Sequence, residues 1–399
     1  MSLLSAAERL AAIDRSQVVF NADRCLHTKD KFSECTACYE ICPASAITAG
    51  KPPVLNSEQC DTCLACLPVC PTGSFAADDD VSSLLKAASH LEGGTLEIIC
   101  GHNPQFSLGI NSSSTALRIH QCIAGLGTGT YAELAALGFE HVILRCEKCE
   151  SCKWSSLRLE IEKQTARANE FLSAWGKGKF VEVVNDLKEP VERPIWNADS
   201  PPVSRREMFR FVVDRSQTMM ARAMENSAST SERRPGRDRL RLTGAVEHLP
   251  AWDAQTTADL DGFRFAAVHV SDACSACAAC AKACPTGALT FHKKPGEDHF
   301  SLEFSADKCI DCGICVHVCG VSAIELQAVS TLTEIFAHQA VKLVEGNLVK
   351  CADCGAAIAE RPGVKLCPVC EFRSKHPFGS TLPKAVQMAI EARTKGKIQ

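Results

Sequence analysis

The residue type with chemistry to do in this chain is cysteine, which fills 25 of 399 positions. The densest run is Cys60, Cys63, Cys66 and Cys70 followed by Pro71, a C-x2-C-x2-C-x3-C-P spacing. Soft thiolates in sets of four select iron–sulfur clusters or zinc over hard cations. At this spacing three thiolates wrap one [4Fe–4S] cube while the fourth reaches a second cluster. Pro71 fixes φ and removes a backbone donor, which turns the chain out of the loop. The pattern returns in full at Cys274, Cys277, Cys280 and Cys284-Pro285, and at Cys309, Cys312, Cys315 and Cys319, where Gly320 replaces the proline. It returns in part at Cys35, Cys38 and Cys42-Pro43, with nine residues separating Cys25 from Cys35 instead of two. The lead-in to Cys25 (Asn21-Ala22-Asp23-Arg24) resembles that to Cys60 (Asn56-Ser57-Glu58-Gln59), so residues 26–34 read as an enlarged loop within one motif. The rival reading is a three-cysteine [3Fe–4S] site with Cys25 spare.

Exchange of the fourth ligands defines four cubes. The first takes Cys25, Cys35, Cys38 and Cys70; the second takes Cys42, Cys60, Cys63 and Cys66. The third takes Cys274, Cys277, Cys280 and Cys319, and the fourth Cys284, Cys309, Cys312 and Cys315. Short helical turns and apolar strands follow the fourth cysteines, as at 44–48, 72–75 and 286–291. This arrangement resembles the bacterial two-[4Fe–4S] ferredoxin fold, once over about 17–77 and again over 263–328. The resemblance implies one-electron transfer with little change of geometry and no open iron position for a substrate.

Between the two modules, residues 81–189 alternate helix and strand patterns, which implies a small parallel α/β sheet. Strands are expected at 95–100, 116–122, 141–146 and 180–184, and helices at 81–91, 130–137 and 153–175. Cys100, Cys122 and Cys146 end three of these strands, and Cys149 and Cys152 follow on the loop. Ligands of parallel α/β sheets bind beyond the carboxyl ends of strands. Cys100, Cys122, Cys146 and Cys152, with Cys149 as the alternative fourth ligand, are therefore expected to hold a [2Fe–2S] or a [4Fe–4S] cluster. Cys122-Ile123-Ala124-Gly125 and the late loop from Cys146 to Cys152 resemble the iron–sulfur domain of the delta subunit of methyl-viologen-reducing hydrogenase. That resemblance implies a [2Fe–2S] cluster and docking to a partner enzyme. Two other readings stand: buried structural cysteines, or a C-x-x-C thiol-redox pair at Cys146 and Cys149.

Residues 190–262, punctuated by Pro190, Pro194, Pro201 and Pro202, read as a linker or docking segment, with a helix from Arg205 to about 225. The basic stretch Arg233-Arg234-Pro235-Gly236-Arg237-Asp238-Arg239 has no interleaved aromatics to stack on bases, and the net charge is −4; nucleic acid is not an expected partner. Residues 1–15 read as a short amphipathic helix. At 345–375, Cys351, Cys354, Cys367 and Cys370 form two C-x2-C knuckles resembling a zinc ribbon, with rubredoxin-like iron as the alternative to zinc. Every cysteine now falls in one of these groups.

No secretory signal and no run of about 18 apolar residues is visible, so a cytoplasmic, reducing compartment is expected, where clustered thiols read as metal sites and not disulfides. There is no G-x-G-x-x-G and no P-loop. Gly125-Leu126-Gly127-Thr128-Gly129 reads as a tight turn before a helix or, less simply, as an approach to a phosphate or flavin. The expected fold is a multidomain α+β and α/β chain: two dicluster ferredoxin folds, a parallel α/β domain and a zinc-ribbon-like element. The expected function is relay of single electrons as a subunit of an oxidoreductase complex. Its partners would be a catalytic subunit of hydrogenase, formate dehydrogenase or aldehyde oxidoreductase type and a second redox protein. The rivals are an enzyme with its own thiol or flavin site in the middle domain, and a cluster-donating assembly factor.

Overall fold

The computed structural model describes residues 18–77, 80–91, 93–104, 108–110, 115–187, 190–192, 195–199, 233–252, 260, 262–293, 296, 298–329, 331–336 and 340–376. The helices expected over 1–15 and from Arg205 onward lie outside them. The chain divides into two compact units, Met1–Asp259 and Leu260–Gln399. Among the described residues, no helix is long and apolar enough to cross a membrane.

The first unit opens with four two-residue strands. β1 (Val19–Phe20) pairs antiparallel with β4 (Phe75–Ala76), and β2 (Ile47–Thr48) with β3 (Val54–Leu55). Strands this short cannot stand alone. Val18, Ile47, Leu64, Leu67 and Phe75 bury together with Cys38, Cys66 and Cys70, so the thiols are part of the core. Helix α1 (Leu26–Lys29) occupies the enlarged loop and buries Leu26 and His27. His27 Nε2 lies 2.7 Å from the Cys35 carbonyl, and Lys51 Nζ donates to the carbonyls of Lys31 and Ser33 at 3.1 and 2.9 Å. These bonds fold the nine-residue loop, seven residues longer than the usual two, back on itself. Helices α2 (Ala37–Ile41) and α3 (Cys66–Val69) carry Cys38 and Cys66.

The same unit continues through α4 (Asp80–Ala88) into a five-stranded parallel sheet. Its strands are β5 (Thr95–Ile99), β7 (Thr115–Arg118), β8 (His141–Arg145), β9 (Val181–Val184) and β11 (Trp196–Asn197), in the order β11-β7-β5-β8-β9. β5 and β8 read as nearly unbroken apolar runs because both faces are covered. Helices α5 (Thr128–Ala136) and α6 (Arg158–Ser173) complete the crossovers. The chain order reverses at β5, with β7 on one side and β8 on the other, which makes the β5/β8 boundary the switch point where ligands of such sheets bind. A small ladder joins β6 (Leu108–Gly109) to β10 (Val191–Glu192).

Within 190–262, read from sequence as linker or docking segment, residues Arg237–His248 form helix α7, whose Leu242, Ala245 and Val246 are buried. Gly236 N donates to the Pro71 carbonyl at 2.8 Å, and Arg237 Nη1 to that of Ala77 at 3.1 Å. A Cβ at Gly129 would collide with the backbone carbonyl of Asp238, so only glycine lets α5 and α7 cross this closely. The basic stretch is thus an internal strut.

In the second unit, β12 (Ala267–Val270) pairs with β15 (Ile324–Gln327), and β13 (Leu289–His292) with β14 (His299–Phe304), all antiparallel. Helices α8 (Ala279–Ala283), α9 (Ile314–His317) and α10 (Leu332–Phe336) lie between and after them. β16 (Val341–Lys350) joins β14 and carries β17 (Ala357–Ala359), extending the sheet to β13-β14-β16-β17. Helix α11 (Pro368–Lys375) starts on Cys367.

Candidate metal centres

Backbone geometry repeats at the cysteine runs. Thr62 and Leu64 have φ of 52° and 62°, Ala276 and Ala278 both 58°, and Asp311 and Gly313 48° and 71°. Each pair flanks the second cysteine of an intact run. Left-handed φ costs an L-residue roughly 1–2 kcal/mol, so three loops that together hold five such residues must be compensated by what they enclose. Ser45, Gly73, Gly287 and Ser322, each three positions after a fourth cysteine, also have positive φ. The next amide then reaches back to sulfur: Ser74 N to Cys70 Sγ and Ala323 N to Cys319 Sγ, both at 3.2 Å. The buried hydroxyls of Thr72 and Thr286 stand 3.8 and 3.6 Å from the sulfurs of Cys70 and Cys284.

The thiols gather in sets. Cys38 feels the charges of Cys70, Cys35 and Cys25, and Cys66 those of Cys63, Cys60 and Cys42. Cys280 feels Cys277, Cys274 and Cys319; Cys315 feels Cys312, Cys309 and Cys284. Burial, reinforced by these neighbours, pushes Cys38, Cys280 and Cys315 up to about 12. Burial likewise lifts Cys63 and Cys312 to about 11, against the pull of the amides of Ala65 and Ile314. Thiols so placed stay protonated unless a cation compensates their charge, and metal binding displaces those protons. In the second unit a cavity is lined by Cys284, Cys309, Cys312 and Cys315 together with Val268, Ala288, Leu289 and Phe304. Four sulfurs around an apolar-walled space are the donor set of a thiolate-held cluster. Residues 273–323 match the 4Fe-4S dicluster domain family. This is an iron–sulfur protein, and its dicluster domain spans Cys274 to Cys319.

The remaining thiols lie outside that dicluster domain. In the parallel sheet, Cys100 directly follows β5 and Cys146 directly follows β8; β7 ends at Arg118, so Cys122 stands four positions beyond its strand and not at its end. All five thiols converge. Cys100 feels Cys149 and Cys152; Cys122 feels Cys100 and Cys149; Cys146 shares a hydrogen bond with Cys149. Burial raises Cys100 and Cys122, and the Cys149 hydrogen bond followed by burial raises Cys146. A cavity here is lined by Cys100, Cys122, Cys149 and Cys152, with His102, Trp154 and Arg158. Cys146 is only 2% exposed and sits behind it.

Beneath this site lies a polar network that the sequence reading missed. The buried Arg145 donates from Nη1 to Glu97 Oε2 at 3.2 Å and to the Leu108 carbonyl at 2.7 Å, and from Nε to Glu147 Oε1 at 3.0 Å. Asn103 Nδ2 donates to the same Glu147 oxygen at 2.9 Å, and Glu97 Oε1 accepts from Ile110 N at 2.7 Å. Burial would raise Glu147, but the bonds from Arg145 and Asn103 outweigh it and hold the carboxyl below its usual range. The glycine-rich turn is also occupied by protein. Gly129 N donates to Asp238 Oδ1 at 2.8 Å, and a Cβ at Gly127 would meet that carboxylate and Pro68. The anion at the start of α5 is therefore Asp238, with no room for a phosphate or flavin; burial lifts Asp238 to about 6.

In the C-terminal element the sulfurs of Cys351, Cys354, Cys367 and Cys370 all lie within 4.8 Å of one another, and Cys354 and Cys367 within 3.7 Å. Tetrahedral ligands at about 2.3 Å from a metal stand about 3.8 Å apart. The Cys367 amide donates to Cys351 Sγ at 3.2 Å, and the Cys370 amide to Cys367 Sγ at 3.4 Å. His269, Lys308 and His317, which stand close in sequence to cysteines of the second module, are all exposed.

Proposed function

We propose that this chain relays single electrons through four [4Fe–4S] cubes, a fifth cluster in the parallel-sheet domain and one structural zinc. The cubes sit on Cys25, Cys35, Cys38 and Cys70; Cys42, Cys60, Cys63 and Cys66; Cys274, Cys277, Cys280 and Cys319; and Cys284, Cys309, Cys312 and Cys315. The fifth, a [2Fe–2S] or [4Fe–4S] cluster, sits on Cys100, Cys122, Cys149 and Cys152, the thiols that line the cavity, in place of the Cys146 expected from the sequence. Zinc takes Cys351, Cys354, Cys367 and Cys370. The clusters supply one-electron capacity; the chain supplies sulfur, sulfur-directed amides and a dry surround, which set the potential. The protein serves as a subunit between a catalytic oxidoreductase of hydrogenase, formate dehydrogenase or aldehyde oxidoreductase type and a second redox partner.

The observation that carries this reading is the cavity bounded by Cys284, Cys309, Cys312 and Cys315 inside the matched dicluster domain. The repeated positive-φ loops extend it to the first module. A reductive titration of the anaerobic, metal-replete chain tests it: uptake of about five electrons, one per cluster, is expected. Uptake of two or fewer contradicts it, and so does turnover of a small substrate with no partner present.

A further inference from the structure

Two loops of the first unit meet at a point no ligand assignment requires. Asp61 and Leu64 belong to the run from Cys60 to Cys66; Trp154 and Lys153 follow Cys152; Gly125 follows Cys122. The Trp154 indole N–H donates to Asp61 Oδ2 at 3.0 Å, and Lys153 Nζ reaches the same oxygen at 3.2 Å. These bonds, led by that from Trp154, hold the Asp61 carboxyl below its usual range. A Cβ at Gly125 would stand a tight 3.0 Å from Leu64 Cβ and 3.4 Å from the Cys63 carbonyl oxygen, so the turn after Cys122 packs directly against Cys63 and Leu64. Trp154 also packs edge-on against His102, with ring centroids 4.4 Å apart, which fixes the indole between Cys100 and the ferredoxin loop.

Resting on the proposed function above, we infer that the loop from Cys60 to Cys66 and the turns after Cys122 and Cys152 form the electronic contact between the first ferredoxin module and the parallel-sheet domain. The cube on Cys42, Cys60, Cys63 and Cys66 is then the one in series with the middle centre, and the cube on Cys25, Cys35, Cys38 and Cys70 is the far one. Tunnelling falls off steeply with distance, so the loops in direct contact set the route. One electron leaves the near cube and one enters the middle centre; no bond forms or breaks and no proton moves. Trp154 and Asp61 act as positioning residues that hold the two loops in register.

The test is EPR of the full chain at stepwise reduction, reading whether the middle centre's signal splits or relaxes faster when a neighbouring cube becomes paramagnetic. The coupling is expected in the wild type, retained in Cys25→Ala and lost in Cys60→Ala. Iron counting on each variant checks that only the targeted cube is missing. Trp154→Phe is expected to weaken the coupling and slow reduction of the middle centre several-fold while leaving both signals in place. Coupling that survives Cys60→Ala and disappears in Cys25→Ala overturns the inference, as do two intact but uncoupled signals in the wild type. A metal-replete wild type with no middle signal at all overturns the underlying reading instead, and the inference with it.

Discussion

A guanidinium with no exposed surface is stable only while its carboxylates stay in place. The Arg145 and Glu97 side chains are both 0% exposed. Removing one partner of such a pair strands the other charge, so Arg145→Leu is expected to cost about 3–5 kcal/mol, and the double change Glu97→Leu with Arg145→Leu to recover only part of it, because Glu147 keeps its buried carboxylate without the guanidinium. Hydrogen exchange across residues 95–99 and 141–145 reads both outcomes. Beside this pair, the five converging thiols exceed what one four-ligand cluster needs. Cys149 lines the cavity and Cys146 lies behind it. Cys149→Ala is therefore expected to abolish the middle centre's spectrum, and Cys146→Ala to leave the centre bound with a shifted potential through the lost hydrogen bond. The reverse pattern would restore Cys146 as the ligand. At this scale the cysteines were legible because ligation fixes residue type and spacing together. Asp61, Trp154 and Asp238 were not, since a single polar residue leaves no periodic trace.

The strut formed by α7 shows how element-level reading depends on apolar spacing. Its buried positions, Leu242, Ala245 and Val246, include just one large side chain and sit among arginines. Nothing in that composition announced a helix packed on α5. The contact is made by removing side chains, at Gly127 and Gly129, and a glycine's contribution to packing cannot be seen without its neighbour. Gly129→Ala is expected to overpack this crossing by about 1–3 kcal/mol and to expose 233–252 to proteolysis. Gly244, on the same helix, has open space around its Cβ position. Gly244→Ala is expected to stabilise α7 by roughly 0.8–1 kcal/mol, making it the matched control. β5 and β8 were readable as continuous apolar runs. β11 was too short for any period, while β2 and β4 were anticipated only as apolar stretches after a fourth cysteine.

For the whole molecule, the alternation of helix and strand between the two ferredoxin patterns was enough to give a parallel sheet with thiols beyond its strand ends. The sequence could not show that the first ferredoxin pattern, the sheet domain and α7 form one compact unit, because the joining contacts are backbone carbonyls, glycines and single hydrogen bonds. The most direct measurement is anaerobic counting of iron, sulfide and zinc in the fully loaded chain. The stoichiometry proposed here predicts roughly 18–20 iron atoms, from four cubes and one smaller or equal cluster, and about one zinc. Eight or fewer iron atoms in a fully loaded sample, or thiols occupied by zinc alone, would contradict it.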